Sequence, residues 1–467
     1  MKIKTTAKRD AFGIVRFNTE YKTADQRRQE GKDLRETIPR VSHAEFEPPG
    51  DRPDPVEVIK ESSKGRLEHL IPIRYGRMSK NVFAFFRGSA SLNALDIAGT
   101  PTTDIRVQAC GDCHLSNFGL FATPERNLIF DINDFDETLP APFEYDIKRL
   151  GASFCIAALN NGFSDKDGRN ITRSCVRSYR EAIAKFSMMN VLDVWYARLD
   201  MDTIIASAPD AEAKRNRQRI SQQARSSIAE YVFPKITKVQ NGRRLIKDEL
   251  PVVYHPPAED FDPEFFIDAL DNYRATLPHE RRVLFDRYRV EDIAYKVVGV
   301  GSVGMRCGVI LLMAEENDAL LLQLKEARPS VLEPYAGKSE FSNPGQRVVV
   351  GQRLMQSASD LMLGWTKGQK GLHFYIRQLR DMKFSMDVTI MTPLQLSRYA
   401  EICGWTLARA HARSGDAAMI SGYLGKTDVF DRAIGTFAGL YAYQAEHDCE
   451  MFLEAIKSGE IPAENEK

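Results

Sequence analysis

Apolar positions follow two different spacings along this chain, and the change between them divides it into four regions. Residues 1–75 are polar and proline-rich, most densely at 47–55, which predicts an N-terminal extension with short helices that either wraps the rest of the protein or is partly mobile. Residues 76–290 carry apolar side chains mainly at helical spacing. Residues 291–385 are rich in β-branched residues and glycine, which predicts a sheet, and residues 386–467 return to helical spacing.

Shorter patterns locate individual elements within these regions. The predicted strands are 118–122 and 128–132 joined by a turn at 123–127, a hairpin around Asn241-Gly242, two strands flanking the glycine-rich stretch 299–304, then 319–326 and 373–377. Alternating or continuous apolar runs bounded by turn residues support each of them. A helix is expected over about 344–364, and further helices as far as about residue 458.

Composition describes a globular protein without a dominant charge. Hydrophobic residues make up 43% of the 467 residues, and 64 basic side chains balance 64 acidic ones. No global field therefore favours nucleic acid or an anionic membrane as a partner. The chain also lacks an apolar run of about 18 residues, so no membrane-spanning helix is expected.

The cysteines and the N-terminus predict a cytoplasmic protein. Seven cysteines is an odd number, and they are scattered through apolar helical contexts, which favours reduced thiols over a disulfide framework. The charged N-terminus is not followed by an apolar segment, so a secretory signal is not expected. Cys110 and Cys113 have CxxC spacing, but a strand rather than a helix follows and no second pair would complete a zinc site.

The candidate chemistry begins in the loop 110–117, Cys-Gly-Asp-Cys-His-Leu-Ser-Asn. Asp112 and Asn117 have the spacing of a phosphoryl-transfer loop, in which a carboxylate accepts the proton of the attacking hydroxyl and an amide helps to hold Mg²⁺. His114 lies between them. We take Asp112 and His114 as the candidate catalytic residues and Asn117 as a candidate metal ligand.

A second carboxylate is expected in the acidic segment 130–137, which follows the second predicted strand. Asp134 is the best candidate for a metal ligand and Asp131 the runner-up, and the sequence does not choose among these and Asp136. Closely spaced carboxylates are costly to bury unless a cation compensates them. The alternative is an acidic loop exposed to water.

The glycine loop 299–304 suggests where nucleotide phosphates bind. A strand precedes it and β-branched residues follow, so it joins two strands, as does the loop that covers ATP phosphates in kinase-like enzymes. Lys325 lies on the third strand of this region, where such enzymes place a phosphate-binding lysine. The candidate nucleotide-binding residues are Gly299, Gly301, Ser302, Gly304 and Lys325. The alternative is a glycine-rich hairpin with an edge lysine.

Other polar residues have weaker functional signals. Asp146, at the start of a helix, is expected to cap backbone N–H groups and brace the loop 110–117. His411 is expected to be a packed helix histidine. Arg87, next to Gly88, either contacts a phosphate or is a surface or ion-paired arginine.

At these residues the chain resembles the aminoglycoside and choline phosphotransferase branch of the protein-kinase-like superfamily. That branch carries the motifs H-G-D-x-H-x-x-N and I-D-[FW]-[DEG], which correspond here to 110–117 and 133–136, with Cys110 in place of the leading histidine. The whole chain is also similar to the bacterial family DUF2252. The signatures that carry this similarity are 85–88, 111–119, 130–137, 324–327 and 377–381.

The resemblance implies a catalytic base at Asp112, metal ligands at Asn117 and Asp134, and phosphate contacts from Lys325 and the glycine loop. In kinase-like proteins, however, the glycine loop and lysine precede the catalytic loop, whereas here they follow it. We therefore predict an α+β, two-lobed, kinase-like fold that is circularly permuted. This permuted fold requires Lys325 and Asp134 to lie within roughly 10 Å of each other.

The predicted function is that of an ATP- and Mg²⁺-dependent phosphotransferase acting on the hydroxyl of a small molecule. One alternative is adenylyl transfer to a protein side chain, and another is a catalytically silent nucleotide-binding scaffold. An acidic partner for the lysine is not evident, because the helix expected after it contains glutamines but no glutamate. Glu326 and Glu333 are the candidates for that place.

Overall fold

The computed structural model describes residues 6–9, 15–18, 22–226, 233, 235–255, 263–297, 299–379 and 382–464. It is an α+β protein, as the apolar spacing predicts. The first described element is a hairpin of β1 (Thr6–Arg9) and β2 (Val15–Asn18), which was not expected from the sequence.

The N-terminal helices lie against the C-terminal end of the chain. They are α1 (Ala24–Asp33), α2 (Pro55–Ser63), α3 (Ile71–Met78), α4 (Val82–Gly88) and α5 (Ala90–Ala98). The Arg52 guanidinium forms two buried ion pairs, at 2.7 Å to Asp96 and 2.6 Å to Asp448. Arg52 therefore links this first part of the chain to the C-terminal helices.

The next region carries the loop 110–117 and the acidic segment. Its elements are β3 (Arg106–Ala109), β4 (Phe118–Ala122), β5 (Leu128–Ile132), β6 (Leu139–Pro142), α6 (Phe143–Asn160), α7 (Asp165–Phe186), α8 (Val191–Tyr196), β7 (Leu199–Asp200), α9 (Met201–Ala206) and α10 (Ala211–Arg225). Strands β4 and β5 have the predicted bounds and pair antiparallel. Strand β3 pairs with β6, so the loop and the acidic segment both lie between paired strands.

The sheet region follows. Its elements are β8 (Thr237–Gln240), β9 (Arg243–Ile246), β10 (Val253–Tyr254), α11 (Pro263–Thr276), α12 (His279–Phe285), β11 (Arg289–Lys296), β12 (Cys307–Glu315), β13 (Asp318–Ala327), α13 (Glu333–Ala336), α14 (Pro344–Met355), β14 (Gly364–Lys367) and β15 (His373–Gln378). One antiparallel sheet has the strand order β10-β11-β12-β13-β15-β14. The β8–β9 turn has positive φ at both Asn241 and Gly242, the conformation that an Asn-Gly hairpin favours.

Apolar layers cover both faces of this sheet. Successive side chains of a strand point to opposite faces, and on β12 Ile310 packs in a cluster with Tyr273 while its neighbour Leu311 packs with Ile246. The strand is therefore a continuous apolar run rather than an alternating one, which is why its sequence predicts a buried strand.

The C-terminal helices are α15 (Pro393–Ser414), α16 (Ala417–Leu424) and α17 (Val429–Ser458). The end of α15 lies against β3, because Ser414 Oγ accepts a hydrogen bond of 3.2 Å from the backbone N–H of Gln108. In the described segments, no helix combines the length and the apolar character needed to cross a membrane.

The helix predicted over 344–364 is too long. Helix α14 ends at Met355, and Gln356 is already extended. The backbone N–H and the hydroxyl of Ser357 both donate to Asp131, at 2.9 and 2.8 Å. That carboxylate removes the donor that a further helical turn would use, and β14 follows instead.

Candidate active site

A buried carboxylate on α6 holds the loop 110–117 in place. Asp146 accepts hydrogen bonds from the backbone N–H groups of Cys110, at 2.6 Å, and Gly111, at 2.9 Å. His411 is buried, and its Nε2 lies 3.1 Å from the same carboxylate. Gly111 has φ +85°, and a Cβ there would stand 2.2 Å from the carbonyl oxygen of Glu137. The bracing role predicted for Asp146 and the packed position predicted for His411 are both confirmed.

Asp112 has one engaged oxygen and one available oxygen. Arg149 Nε and Nη2 both donate to Oδ1, at 2.9 and 2.6 Å, and the same guanidinium stacks on Phe86, 3.8 Å from the ring centroid. Oδ2 lies 3.8 Å from His114 Nε2, which is too far for a hydrogen bond. With a side chain that is 22% exposed, Asp112 can therefore accept a proton at Oδ2. Sequence reasoning missed Arg149, which helical spacing marks only as a residue of α6.

His114 is buried and uncharged at neutral pH. Burial lowers its pKa to about 3, against the opposing effect of Asp112. Its carbonyl oxygen accepts from the Asn117 backbone N–H at 2.8 Å, so the residue shapes the loop. The catalytic role predicted for His114 stays a prediction, and a neutral imidazole limits that role to hydrogen bonding.

Asn117 has an amide oxygen available for a cation. Its Nδ2 donates to the Asp112 carbonyl oxygen at 2.6 Å, which leaves Oδ1 as the atom that can serve as a hard ligand. Asn117 and Asp134 line the same small cavity. The structure thus brings together the two residues predicted to hold Mg²⁺.

Lys325 lies against the acidic segment. Its Nζ is 3.6 Å from Asp134 Oδ2 and 2.5 Å from Asp136 Oδ2, and its side chain is only 4% exposed. Tyr375 OH donates to the other oxygen of Asp136 at 2.7 Å. The predicted proximity of Lys325 and Asp134 is confirmed, and the charges of Asp134 and Asp136 raise the pKa of the lysine well above its usual value although burial opposes this.

The acidic partner suggested for the lysine was wrong. Glu326 follows Lys325 on β13 and therefore points to the other face of the strand, where it pairs with Arg306 at 3.2 Å and Arg328 at 2.8 Å. Glu333 instead accepts from the backbone N–H of Ser330. Asp136 takes the place that Glu326 or Glu333 was expected to fill.

Asp134 is ionised and accessible. Burial alone would raise its pKa, but the positive charges of Lys325 and Arg377 outweigh that effect and lower the pKa to about 2. Its side chain remains 31% exposed. A carboxylate that is charged at all physiological pH values and open to solvent can serve as a cation ligand.

Asp131 is engaged elsewhere. Its side chain is 1% exposed and forms an ion pair with Arg409 that is equally buried, and Ser357 donates to it twice. It lines neither of the cavities described below. The structure therefore does not bring this runner-up into the site, and it supports Asp134 in preference to Asp131.

The glycine loop joins β11 to β12, as predicted, and is tied to the N-terminal helices. The carbonyl oxygens of Gly301 and Val303 accept from Arg66 Nη1, at 2.7 and 2.6 Å. Gly304 has φ +83° and packs on the Arg66 side chain; it lines neither cavity, so its role is structural. Gly299, Gly301 and Ser302 do line the small cavity.

Two cavities meet at Asp134 and the glycine loop. The large cavity, of about 430 Å³, lies between the sheet and the β4–β5 hairpin, and its size is within the range of small-molecule sites. The small cavity, of about 110 Å³, lies beside Asp112. Both are lined by Asp134, Gly299 and Ser302. Basic side chains predominate around the large cavity, namely Arg126, Lys296, Lys325, Arg377 and Lys383.

The residues fit a cation that is held partly by a substrate. Among the described residues, no three His, Cys, Asp or Glu side chains converge into a group that could hold a metal. Mg²⁺ is usually bound through one or two carboxylates together with substrate phosphates, rather than by a cage of protein ligands. Asn117 and Asp134, next to a basic cavity, match that pattern.

The fold and site define an α+β protein in which a lysine strand and a carboxylate loop enclose a basic cavity. Residues 66–455 match the family model described as "Uncharacterized protein conserved in bacteria (DUF2252)". The chain belongs to this family. Comparisons with curated proteins and with solved structures gave no match.

Proposed function

We propose that this protein binds ATP with Mg²⁺ and transfers a phosphoryl group to the hydroxyl of a small molecule. The observation that carries the proposal is the contact of Lys325 with Asp134 and Asp136, where the large and small cavities meet. These groups come from distant parts of the chain, and a structural ion pair does not account for two adjoining cavities. Phosphoryl transfer needs this combination of a phosphate-binding lysine and metal-binding carboxylate.

The large cavity suits the nucleotide. Its basic side chains complement a polyphosphate, and two buried amide atoms of residues that line it, Asn133 Nδ2 and Gln352 Oε1, have no hydrogen-bond partner in the described part of the chain. Buried polar atoms rarely lack partners. A bound ligand with both donors and acceptors, such as a nucleotide, would supply them.

The order of the elements supports a permuted kinase-like fold. A glycine-loop hairpin (β11–β12) leads to a lysine strand (β13), the four-residue helix α13, the helix α14, two strands (β14 and β15) and the long helix α15. The contact between Ser414 and Gln108 places the end of that helix beside the strand that enters the loop 110–117. A direct link from α15 to β3 would give the order of the kinase-like family, so we propose that this order has been permuted.

Each residue then has a distinct task. Lys325 contacts the nucleotide phosphates, while Asn117 and Asp134 hold Mg²⁺, which neutralises charge on those phosphates when it is bound. The acceptor oxygen attacks the γ-phosphorus, the bond to the bridging oxygen breaks, and ADP leaves. The proton of the acceptor hydroxyl moves to Asp112 Oδ2, because Arg149 occupies Oδ1.

Thermal unfolding with and without ATP and Mg²⁺ tests the proposal. A ligand at 100 times its Kd stabilises the folded state by about 2.7 kcal/mol, and Asp134→Asn should abolish the Mg²⁺-dependent part. Asp202→Asn, an exposed aspartate of α9, is the matched control. No stabilisation of the wild type would refute nucleotide binding.

Labelled ATP then separates the possible activities. Transfer or release of the γ-phosphate supports phosphotransfer, whereas retention of the α-label on protein would support adenylyl transfer. Nucleotide binding without either reaction would support a silent scaffold.

A further inference from the structure

Three of the four carboxylates that line the small cavity have cationic partners, and the fourth, Glu137, accepts a hydrogen bond of 2.7 Å from the backbone N–H of Val331. Asp112 pairs with Arg149 at 2.6 Å. Asp134 and Asp136 share Lys325. Among the described residues, none of the arginines that line this cavity is the ion-pair partner of these carboxylates.

Three further arginines line the small cavity: Arg66, Arg74 and Arg87. Two of them donate hydrogen bonds to uncharged groups. Arg66 donates to carbonyl oxygens of the glycine loop, and Arg74 donates to Ser63 Oγ at 2.6 Å and to the Gly88 carbonyl oxygen at 2.9 Å. Burial lowers the pKa of Arg66 to about 8 and that of Arg74 to about 10.

Arg87 differs from these two because its donors are unused. It lies near the end of α4, and within the described residues its guanidinium has no ion pair, while its buried Nε has no hydrogen-bond partner. The ion-paired alternative considered from the sequence is not met within the described residues, and the side chain is neither fully exposed nor fully buried. The side chain is partly exposed and its guanidinium lies 6.0 Å from the Phe83 ring centroid. Leaving the buried Nε unsatisfied has a cost, so the position is best explained by a partner that arrives with a ligand.

The location of Arg87 indicates which ligand that is. Asp112 and Asp134 are the two carboxylates that act most strongly on its charge, and its carbonyl oxygen would lie 3.2 Å from a Cβ on Gly301 of the glycine loop. The arginine thus stands by the proton acceptor, the metal ligand and the phosphate loop together. In the proposed reaction, the phosphoryl group passes through this space.

We propose that Arg87 is a catalytic residue that contacts the transferred phosphoryl group, as an arginine supplied within the same chain. The inference rests on the proposed function. During transfer, the bond from the γ-phosphorus to the bridging oxygen breaks and the bond to the acceptor oxygen forms, while the charge on the equatorial oxygens is spread over the group. The planar fork of Arg87 offers paired donors to those oxygens.

A competing role is recognition of a carboxylate or phosphate on the acceptor molecule. The two roles differ in what they require. A contact with the phosphoryl group during transfer can be detected with the nucleotide and an analogue of that group. Recognition of the acceptor can be detected only when the acceptor is present. An experiment without an acceptor therefore separates them.

The experiment measures thermal stabilisation by Mg²⁺-ADP alone and by Mg²⁺-ADP with aluminium fluoride, which mimics the transferring phosphoryl group. Wild type should gain an additional shift with the fluoride. Arg87→Ala should keep the ADP shift and lose the additional one, and Arg87→Lys should recover only part of it, because lysine lacks the fork. Arg219→Ala, an exposed arginine of α10, is the control and should behave as wild type.

Turnover provides a second readout. Release of γ-phosphate from ATP should fall about 10³-fold or more in Arg87→Ala, with little change in the KM for ATP. An equal fluoride shift in wild type and Arg87→Ala, or none in wild type that still binds ADP, would overturn the role of Arg87. A wild type that is not stabilised by ADP or ATP would instead refute the proposed function, and the inference with it. Arg87→Lys preserves the packing of the stem should the alanine variant fold poorly.

Discussion

Lys325 Nζ and Asp136 Oδ2 lie 2.5 Å apart, although the lysine belongs to the sheet region and the aspartate follows the β4–β5 hairpin. Asp134 shares the same ammonium group, so a single lysine charge faces two carboxylates. Lys325, Asp134 and Asp136 together carry a net negative charge, so this part of the site can accept a second cation. Binding of Mg²⁺ and binding of the nucleotide are expected to reinforce each other for that reason.

Removing the lysine should expose this charge imbalance. Lys325→Met leaves both carboxylates without their cation, and we expect the free energy of unfolding to fall by about 3 kcal/mol. The double variant Lys325→Met/Asp136→Asn should be less destabilised than the single variant, because one uncompensated charge is gone. Urea unfolding measures both. Equal losses in the two variants would show that the charges are not coupled.

Two aspartates of the acidic segment should respond in opposite ways. Asp131→Asn removes the partner of buried Arg409, so the free energy of unfolding should fall by about 3–5 kcal/mol, while Mg²⁺-dependent ATP affinity is kept. Asp134→Asn should cost little stability and should lose that affinity. Urea unfolding and calorimetric titration of ATP at several Mg²⁺ concentrations measure the two properties. A selective loss of Mg²⁺-dependent binding in Asp131→Asn would contradict the assignment of Asp134.

Glu137 should make stability fall as the pH rises through neutrality. Burial raises its pKa to about 7, against the opposing effect of Arg347. Between the unfolded pKa near 4.5 and this value, the folded protein binds more protons at Glu137 than the unfolded chain does, so its contribution to the free energy of unfolding decreases with pH. Compared with Glu137→Gln, the wild type should lose stability between about pH 5 and pH 8. Parallel curves for the two proteins would contradict the raised pKa.

Gly111 and Gly162 offer a matched pair of substitutions. Both have positive φ, but a Cβ on Gly111 would stand 2.2 Å from the Glu137 carbonyl oxygen, whereas one on Gly162 meets open space. Gly162→Ala should cost about 1–2 kcal/mol from the backbone alone. Gly111→Ala should cost more, because the loop 110–117 must also move away from the acidic segment. Chemical denaturation compares them, and equal costs would show that the loop yields without penalty.

Local chemistry explains which features could be predicted from the sequence. Strands β4 and β5 are bounded by turn residues, and Asn241-Gly242 determines its own turn, so short-range patterns suffice. Strand β14 could not be recognised, because it is short and follows a sequence with helical spacing. The helix ends at Met355, where Ser357 begins to donate hydrogen bonds to the distant Asp131. The acidic partner of Lys325 could not be predicted either, because Asp136, which takes the place expected for Glu326 or Glu333, is distant from the lysine along the chain.

The site shows the same division between local and distant information. Asp112 and Asn117 could be selected as candidates from motif spacing, which left Asp134 open against Asp131 and Asp136. Arg149 and the group of arginines around the small cavity could not be recognised from the sequence, because their positions depend on which helix packs on the loop. The motif 85–88 contained the signal for Arg87, but only its buried, unpaired Nε and its place in the lining of the small cavity distinguish it from a surface arginine.

The buried pair of Asp131 and Arg409 also has a consequence for biosynthesis. Its two residues are 278 positions apart, so a ribosome working at about 5–20 residues per second makes the arginine ~15–55 s after the aspartate. Throughout that interval, the nascent β4–β5 hairpin carries a carboxylate whose partner does not yet exist. The N-terminal half of the site therefore stays incomplete until α15, which carries Arg409, has been synthesised.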